Sequence, residues 1–161
     1  MRVNKKKFIY LISPNKIYKK FFKDLQKVLE TGKINFFQLR LKKYSFKHKI
    51  LIGKKIKNIC KENNVKFLIN DDPILAKRLC ADGCHLGQKD VNIKKARKII
   101  GKKIIGITCH NSITLAKIAI KAKASYIALG AFYSSKTKKT SHEANIKILK
   151  KIKKITKTPI V

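Results

Sequence analysis

Residues 36–42 read FFQLRLK, and their alternation decides the fold. Phe37, Leu39 and Leu41 interleave with Gln38, Arg40 and Lys42. Successive side chains of an extended chain point to opposite faces, so this stretch has one apolar face and one polar, cationic face. Short apolar runs of this kind recur, separated by longer amphipathic ones. Strands are expected at 8–13, 36–41, 66–71, 83–87, 104–109, 126–132 and 159–161. Helices are expected near 17–31, 46–63, 73–80, 92–100, 112–123 and 144–156. Strand followed by helix, repeated six times, predicts a parallel sheet. Right-handed crossovers close such a sheet in two ways, as an open doubly wound sheet or as a (β/α)8 barrel. In the open sheet both faces meet helices, which leaves no place for Gln38, Arg40 and Lys42. A barrel interior near its C-terminal mouth accepts them. The other strands repeat the pattern. Ile105, Ile107 and Cys109 oppose Gly106, Thr108 and His110; Cys84 and Leu86 oppose Gly83, His85 and Gly87; Ile127 and Leu129 oppose Ala128 and Gly130. The expected fold is therefore α/β, a TIM (β/α)8 barrel, with residues 1–161 as a single partial barrel domain. Its active site belongs at the C-terminal ends of the strands.

Working outward, Pro73 suits a first helical turn, and Asn92 and either Asn111 or Ser112 stand where N-caps belong. No apolar run reaches 18 residues, so no membrane-spanning helix is expected. The opening MRVNKKKFIYLIS reads as a first strand rather than a leader. Cys60, Cys80, Cys84 and Cys109 form no CxxC pair, and reduced thiols in a cytoplasm are expected. The net charge is +33, from 41 Lys and Arg against eight Asp and Glu. Lysine is spread over every expected helix and is not interleaved with aromatics, which argues against nucleic acid as the partner. The field still draws small anions toward any cleft.

Against that background the acids cluster: Asp71, Asp72, Asp82 and Asp90 all fall within residues 70–90, NDDPILAKRLCADGCHLGQKD. Asp72, before Pro73, reads as a helix-start residue, and Asp82 in ADG as a turn residue. Asp71 and Asp90 then remain at neighbouring strand ends. Two carboxylates, with waters and phosphate oxygens, are a usual way to hold Mg²⁺. Arg40, Lys42 and Lys138 supply fixed positive charge for a polyphosphate. Cys84-His85 and Cys109-His110 suggest zinc, but strand neighbours point apart and each pair offers one ligand at most. His48 and His142 read as surface residues. The loop YSSKTKKTSHE after the sixth strand is rich in hydroxyls and Lys; alone it reads equally as a surface loop.

These segments together resemble the thiamine-phosphate synthase family. The resemblance rests on FFQLRLK, LINDDPILAKRLCADGCHLGQKD, IIGITCHNSITLAKIAIKAKASYIALGAFYSSKTKK and the closing TPIV, in one collinear order over nearly the whole chain. It implies a Mg²⁺-dependent transferase on a TIM barrel. That enzyme joins 4-amino-5-hydroxymethyl-2-methylpyrimidine diphosphate to a thiazole phosphate (or its carboxylate), releasing pyrophosphate and forming thiamine phosphate. By the same resemblance, Gln38, Arg40, Lys42, Asn70, Thr108 and Lys138 would bind the pyrimidine diphosphate. Ser135, Lys136 and Thr137 would bind the thiazole phosphate, and Asp71 and Asp90 would bind Mg²⁺. No residue is needed as a nucleophile, because the family mechanism is dissociative.

The sequence departs from the family pattern at Thr108, where Ser is frequent, at Ala131, where Pro often follows the Gly, and at Ser135, where Thr is usual. The family continues past the position of Val161 with a Gly-Gly turn and further βα units. The expectation is a C-terminally truncated barrel of about six βα units plus the start of strand seven. The partners implied are phosphorylated small molecules, without nucleic acid or membrane; a homo-oligomer is compatible, and the compartment implied is the cytoplasm. Two other readings stand beside this one. A thiazole tautomerase would use the same barrel, but it has no diphosphate to ionise and no use for both acids with QxRxK. A non-catalytic basic nucleic-acid-binding protein would leave the acid cluster unexplained.

Overall fold

β-Branched and aromatic runs give six strands, and amphipathic stretches between them give six helices among the residues described by the computed structural model, 8–133 and 143–161. The order is β1 (Ile9–Ile12), α1 (Phe21–Glu30), β2 (Ile34–Leu39), α2 (Phe46–Glu62), β3 (Lys66–Asn70), α3 (Pro73–Arg78), β4 (Gly83–Leu86), α4 (Ile93–Ile100), β5 (Ile104–His110), α5 (Ile113–Lys121), β6 (Tyr126–Leu129) and α6 (Ile146–Ile155). All strands pair in parallel, in sequence order from β1 to β6.

The sheet is rolled rather than flat. Five strand spacings would separate β1 from β6 by roughly 24 Å in a flat sheet. Yet the hydroxyls of Tyr10 on β1 and Tyr126 on β6 lie 2.7 Å apart. The strands therefore curve into a half-barrel, with helices outside and a narrow polar interior. The outer face carries the core: Phe37, Leu39, Phe67, Ile69, Cys84, Leu86, Ile105, Cys109 and Ile127 are buried under the helices with Ile56, Ala76, Ala96 and Ile152.

Short polar side chains start the helices. Ser45, Asp72, Asn92, Ser112 and Asn145 each accept a hydrogen bond from the backbone N–H three residues on, which satisfies donors the helix itself leaves open. Of the two candidates before α5, the cap is Ser112. Pro73 holds the first position of α3. Helices α2, α3 and α5 end alike. Asn64, Cys80 and Lys123 take positive φ, and the paired backbone bonds of a Schellman motif follow, such as Cys80 N–H to Lys77 O and Ala81 N–H to Ala76 O.

Some boundaries differ from the expectation. β2 begins at Ile34, because its ladder with β1 starts there, and ends at Leu39. Beyond it the Arg40 N–H is taken by the Ser13 hydroxyl at 2.8 Å. α1 begins at Phe21, not 17; the residues before it form a turn closed by the bond from Phe21 N–H to Tyr18 O, and Lys20 stands at the N-cap without a side-chain bond. β6 ends at Leu129, not 132. The last segment pairs with β6 as a single bridge, Ile127 to Ile160, flanked by hydrogen bonds from Ile127 N–H to Pro159 O and Leu129 N–H to Val161 O.

Candidate active site

The polar face of each strand points into the barrel, and its C-terminal residues form the wall of one cavity of about 850 Å³. Gln38, Arg40 and Lys42 reach it from β2 and the turn after it, and Asn70 and Asp71 from the end of β3. Asp90 comes from the loop after β4, and Thr108 from β5. The sequence placed these seven on four separate segments 70 residues apart at the extremes; the half-barrel brings all of them to one mouth. Ser135, Lys136, Thr137 and Lys138 lie outside the described residues, as does His142.

The acids and bases form a graded set. Lys42 Nζ lies 3.7 Å from Asp71 Oδ2. Arg40 is held at its guanidinium by Asn15 Oδ1 at 2.6 Å. Asp71 has φ of 64°, and its N–H bonds to His85 O at 2.7 Å, which turns it off the end of β3. His110, at the end of β5, also has positive φ. Such backbone strain at strand ends collects where side chains must be aimed. Asp90 is fixed by the Gly87 N–H, 2.7 Å from its Oδ2. Burial, then hydrogen bonding to Asp90 and the negative charge of Asp90, push the Asp71 carboxyl above the usual carboxylate range; Lys42 and Arg40 oppose this. Two carboxyls pressed together at a cationic rim are a hard-oxygen pair that gains from a shared cation. The described residues hold no group of three or more His, Cys, Asp or Glu able to bind a metal. Mg²⁺ commonly fits such a pair, because it takes much of its coordination from water and substrate oxygens.

The other acids have structural work. Asp72 caps α3 through Leu75 N–H at 2.9 Å. Asp82 does more than shape a turn: its carboxylate takes the Phe67 N–H at 2.9 Å and pairs with Lys66 at 3.1 Å, tying the start of β3 to the turn before β4. Cys84 and Cys109 lie buried on the outer face, with His85 and His110 lining the cavity on the inner one, as strand alternation requires. His48 is exposed.

Below the mouth lies a feature that strand parity alone did not reveal. Tyr10, Tyr126 and His85 fill the interior, with Tyr126 5% exposed and its ring stacked on that of His85. Tyr126 shares its face with Ala128, and Tyr10 lies on the strand that rolls round to meet it. A glycine inside a strand was the available signal, since it often marks close approach. A Cβ on Gly106 would stand 1.9 Å from Tyr126 Cζ. The side-chain amide of Gln88 also bonds to Thr108 O across the cavity wall.

Residues 9–161 match the family described as thiamine monophosphate synthase. The chain is 62% identical, over 164 aligned positions, to a thiamine-phosphate synthase of Pelagibacter ubique (strain HTCC1062), spanning all of this chain and 79% of that protein. It is 42% identical over 133 positions to a thiamine-phosphate synthase of Erythrobacter litoralis, spanning 81% of this chain and 62% of that one. Among solved structures, thiamine phosphate pyrophosphorylase from Pyrococcus furiosus superposes with a TM-score of 0.83 at 26% identity. The match covers 95% of this chain and 72% of that one. By sequence along its length and by its rolled parallel sheet, the chain belongs to the thiamine monophosphate synthase family.

Proposed function

We propose that this chain acts as a thiamine-phosphate synthase, transferring a pyrimidinylmethyl group from its diphosphate to the nitrogen of a thiazole phosphate and releasing pyrophosphate. One observation carries the reading. Gln38, Arg40, Lys42, Asn70, Asp71, Asp90 and Thr108 line a single cavity at the C-terminal mouth of the barrel. A tautomerase would have no use for a paired-carboxylate and cationic rim.

The chemistry asked of these residues is charge stabilisation. As the C–O bond to the diphosphate breaks, negative charge grows on the leaving group, and Arg40 and Lys42 stand fixed to meet it. Gln38 and Asn70 orient the heterocycle. Thr108 offers a hydroxyl from the neighbouring wall. Asp71 and Asp90 would hold Mg²⁺, which when bound would neutralise part of the diphosphate charge. Ser135, Lys136, Thr137 and Lys138 keep the substrate contacts that the family resemblance implies. No side chain need act as a nucleophile: the thiazole nitrogen attacks the cation left by pyrophosphate. The substrates are phosphorylated small molecules rather than nucleic acid. The compartment we propose is the cytoplasm. Among the described residues no helix is long and apolar enough to cross a membrane.

The test is turnover of the two substrates by the whole chain with Mg²⁺, read as thiamine phosphate and pyrophosphate in equal amounts. Chelation should abolish it. Asp71→Asn and Asp90→Asn should each lower kcat at least about 100-fold, the scale of losing a transition-state charge contact. Chelator-resistant turnover would overturn the metal assignment. A folded protein that binds neither substrate would overturn the activity.

A further inference from the structure

Six side chains make one continuous hydrogen-bonded chain beneath the cavity. Thr108 Oγ1 lies 2.8 Å from His85 Nε2, and His85 Nδ1 lies 2.8 Å from the Tyr126 hydroxyl. The Tyr126 hydroxyl is 2.7 Å from that of Tyr10. Tyr10 donates to Gln38 Oε1 at 2.8 Å, and Gln38 Nε2 donates to Asn70 Oδ1 at 2.7 Å. Burial pushes both tyrosine hydroxyls well above their ordinary range, so each keeps its single proton at neutral pH.

Counting protons fixes the direction of every link. Tyr10 gives its one proton to Gln38, so in the tyrosine pair Tyr126 must donate. Tyr126 then has no proton left for His85, so His85 must donate from Nδ1. In its neutral form the ring then accepts at Nε2, from the Thr108 hydroxyl. No member can turn round alone. Flipping the Gln38 amide would present N–H groups to Tyr10, and both tyrosines, the His85 tautomer and the Asn70 amide would have to reverse with it.

We infer that Tyr10 and Tyr126 are positioning residues. They join His85 to Gln38 and Asn70 in a one-way hydrogen-bond chain that sets which donor and acceptor atoms the two amides show to the heterocycle. This rests on the reading that the cavity takes an aminopyrimidine. Gln38 and Asn70 both line that cavity. Their own orientation is decided by hydroxyls on β1 and β6, strands that only the rolling of the sheet brings together. Gly106 is part of the device, because any side chain there would occupy the space of the Tyr126 ring.

The first experiment needs no substrate. Two-bond proton–nitrogen NMR of the imidazole in the whole chain reads the His85 tautomer. The expected result is a neutral ring protonated at Nδ1, and Tyr126→Phe, which keeps the ring and removes one hydroxyl, should shift it toward the Nε2-protonated form. Nε2 protonation in the unaltered protein would overturn the inference, as would a tautomer that Tyr126→Phe leaves unchanged in a protein that still melts cooperatively.

The second experiment compares 4-aminopyrimidine and 4-oxopyrimidine diphosphates as ligands. Tyr10→Phe should reduce the preference for the amino compound about 10-fold, the scale of one misdirected hydrogen bond, with a larger effect on KM than on kcat. An unchanged preference overturns the positioning role. If neither compound binds, the functional reading falls, while the NMR result still decides whether the chain of bonds has this direction.

Discussion

Gly106 has an ordinary strand conformation, and its importance lies in what stands over it. Adding a methyl group would place it 1.9 Å from Tyr126 Cζ and 2.3 Å from the hydroxyl. Gly106→Ala should cost about 1–3 kcal/mol by overpacking, read as a lower urea midpoint, and should disturb the tyrosine pair. A neutral effect would mean that the Tyr126 ring is free to move. The cysteines give a second check at this scale. Burial pushes the thiols of Cys60 and Cys84 up to about 12 and that of Cys109 up to about 11, whereas Cys80 is exposed. A thiol reagent at mild alkaline pH should titrate one cysteine quickly and the other three only on unfolding, because the thiolate is the reactive form. Rapid reaction of more than one would contradict this packing. The roles of Asp72 as a cap and of Gln38 as an inward residue were legible from neighbours and parity. The roles of Tyr10, His85 and Tyr126 were not, because each depends on a partner 28 or more residues away or on another strand.

At the level of elements, local chemistry went far. Ser45, Asp72, Asn92, Ser112 and Asn145 cap their helices, and each start lies close to where the sequence suggested it. The C-terminal ends are less ideal. Cys80 and Lys123 occupy left-handed positions that favour glycine. Cys80→Gly and Lys123→Gly should each raise stability by about 0.5–1 kcal/mol, less than the full cost of a left-handed side chain because glycine also loosens the unfolded chain. Denaturant midpoints measure this; a drop in either variant would show that its side chain has packing worth more than the strain. The ends of β2 and β6 were misjudged for one reason. Alternation continues through residues 40–42 and small or apolar residues through 130–132, but a strand ends where its neighbour stops offering hydrogen bonds, and that is a property of the pair.

For the whole molecule, the charge of +33 surrounds a mouth that holds the acids Asp71 and Asp90. Such a field speeds encounter with anions and is screened by salt. With doubly anionic substrates, kcat/KM should fall roughly tenfold between low and half-molar monovalent salt, with kcat changing little. A salt-independent kcat/KM would mean that the lysines on the outer helices do not steer substrate. By itself the sequence determined the alternation of strands and helices, the face of each strand that meets the helices, and the caps, because these follow from periods of two and 3.6 residues and from neighbours along the chain. It also carried the motifs that mark the family. Only the tertiary structure decided that the sheet rolls until the hydroxyls of Tyr10 and Tyr126 meet, that Asp71 and Asp90 line one cavity, and that two tyrosines connect His85 to Gln38. Those contacts depend on the accumulated twist and coil of six paired strands, a quantity that no single stretch of sequence contains.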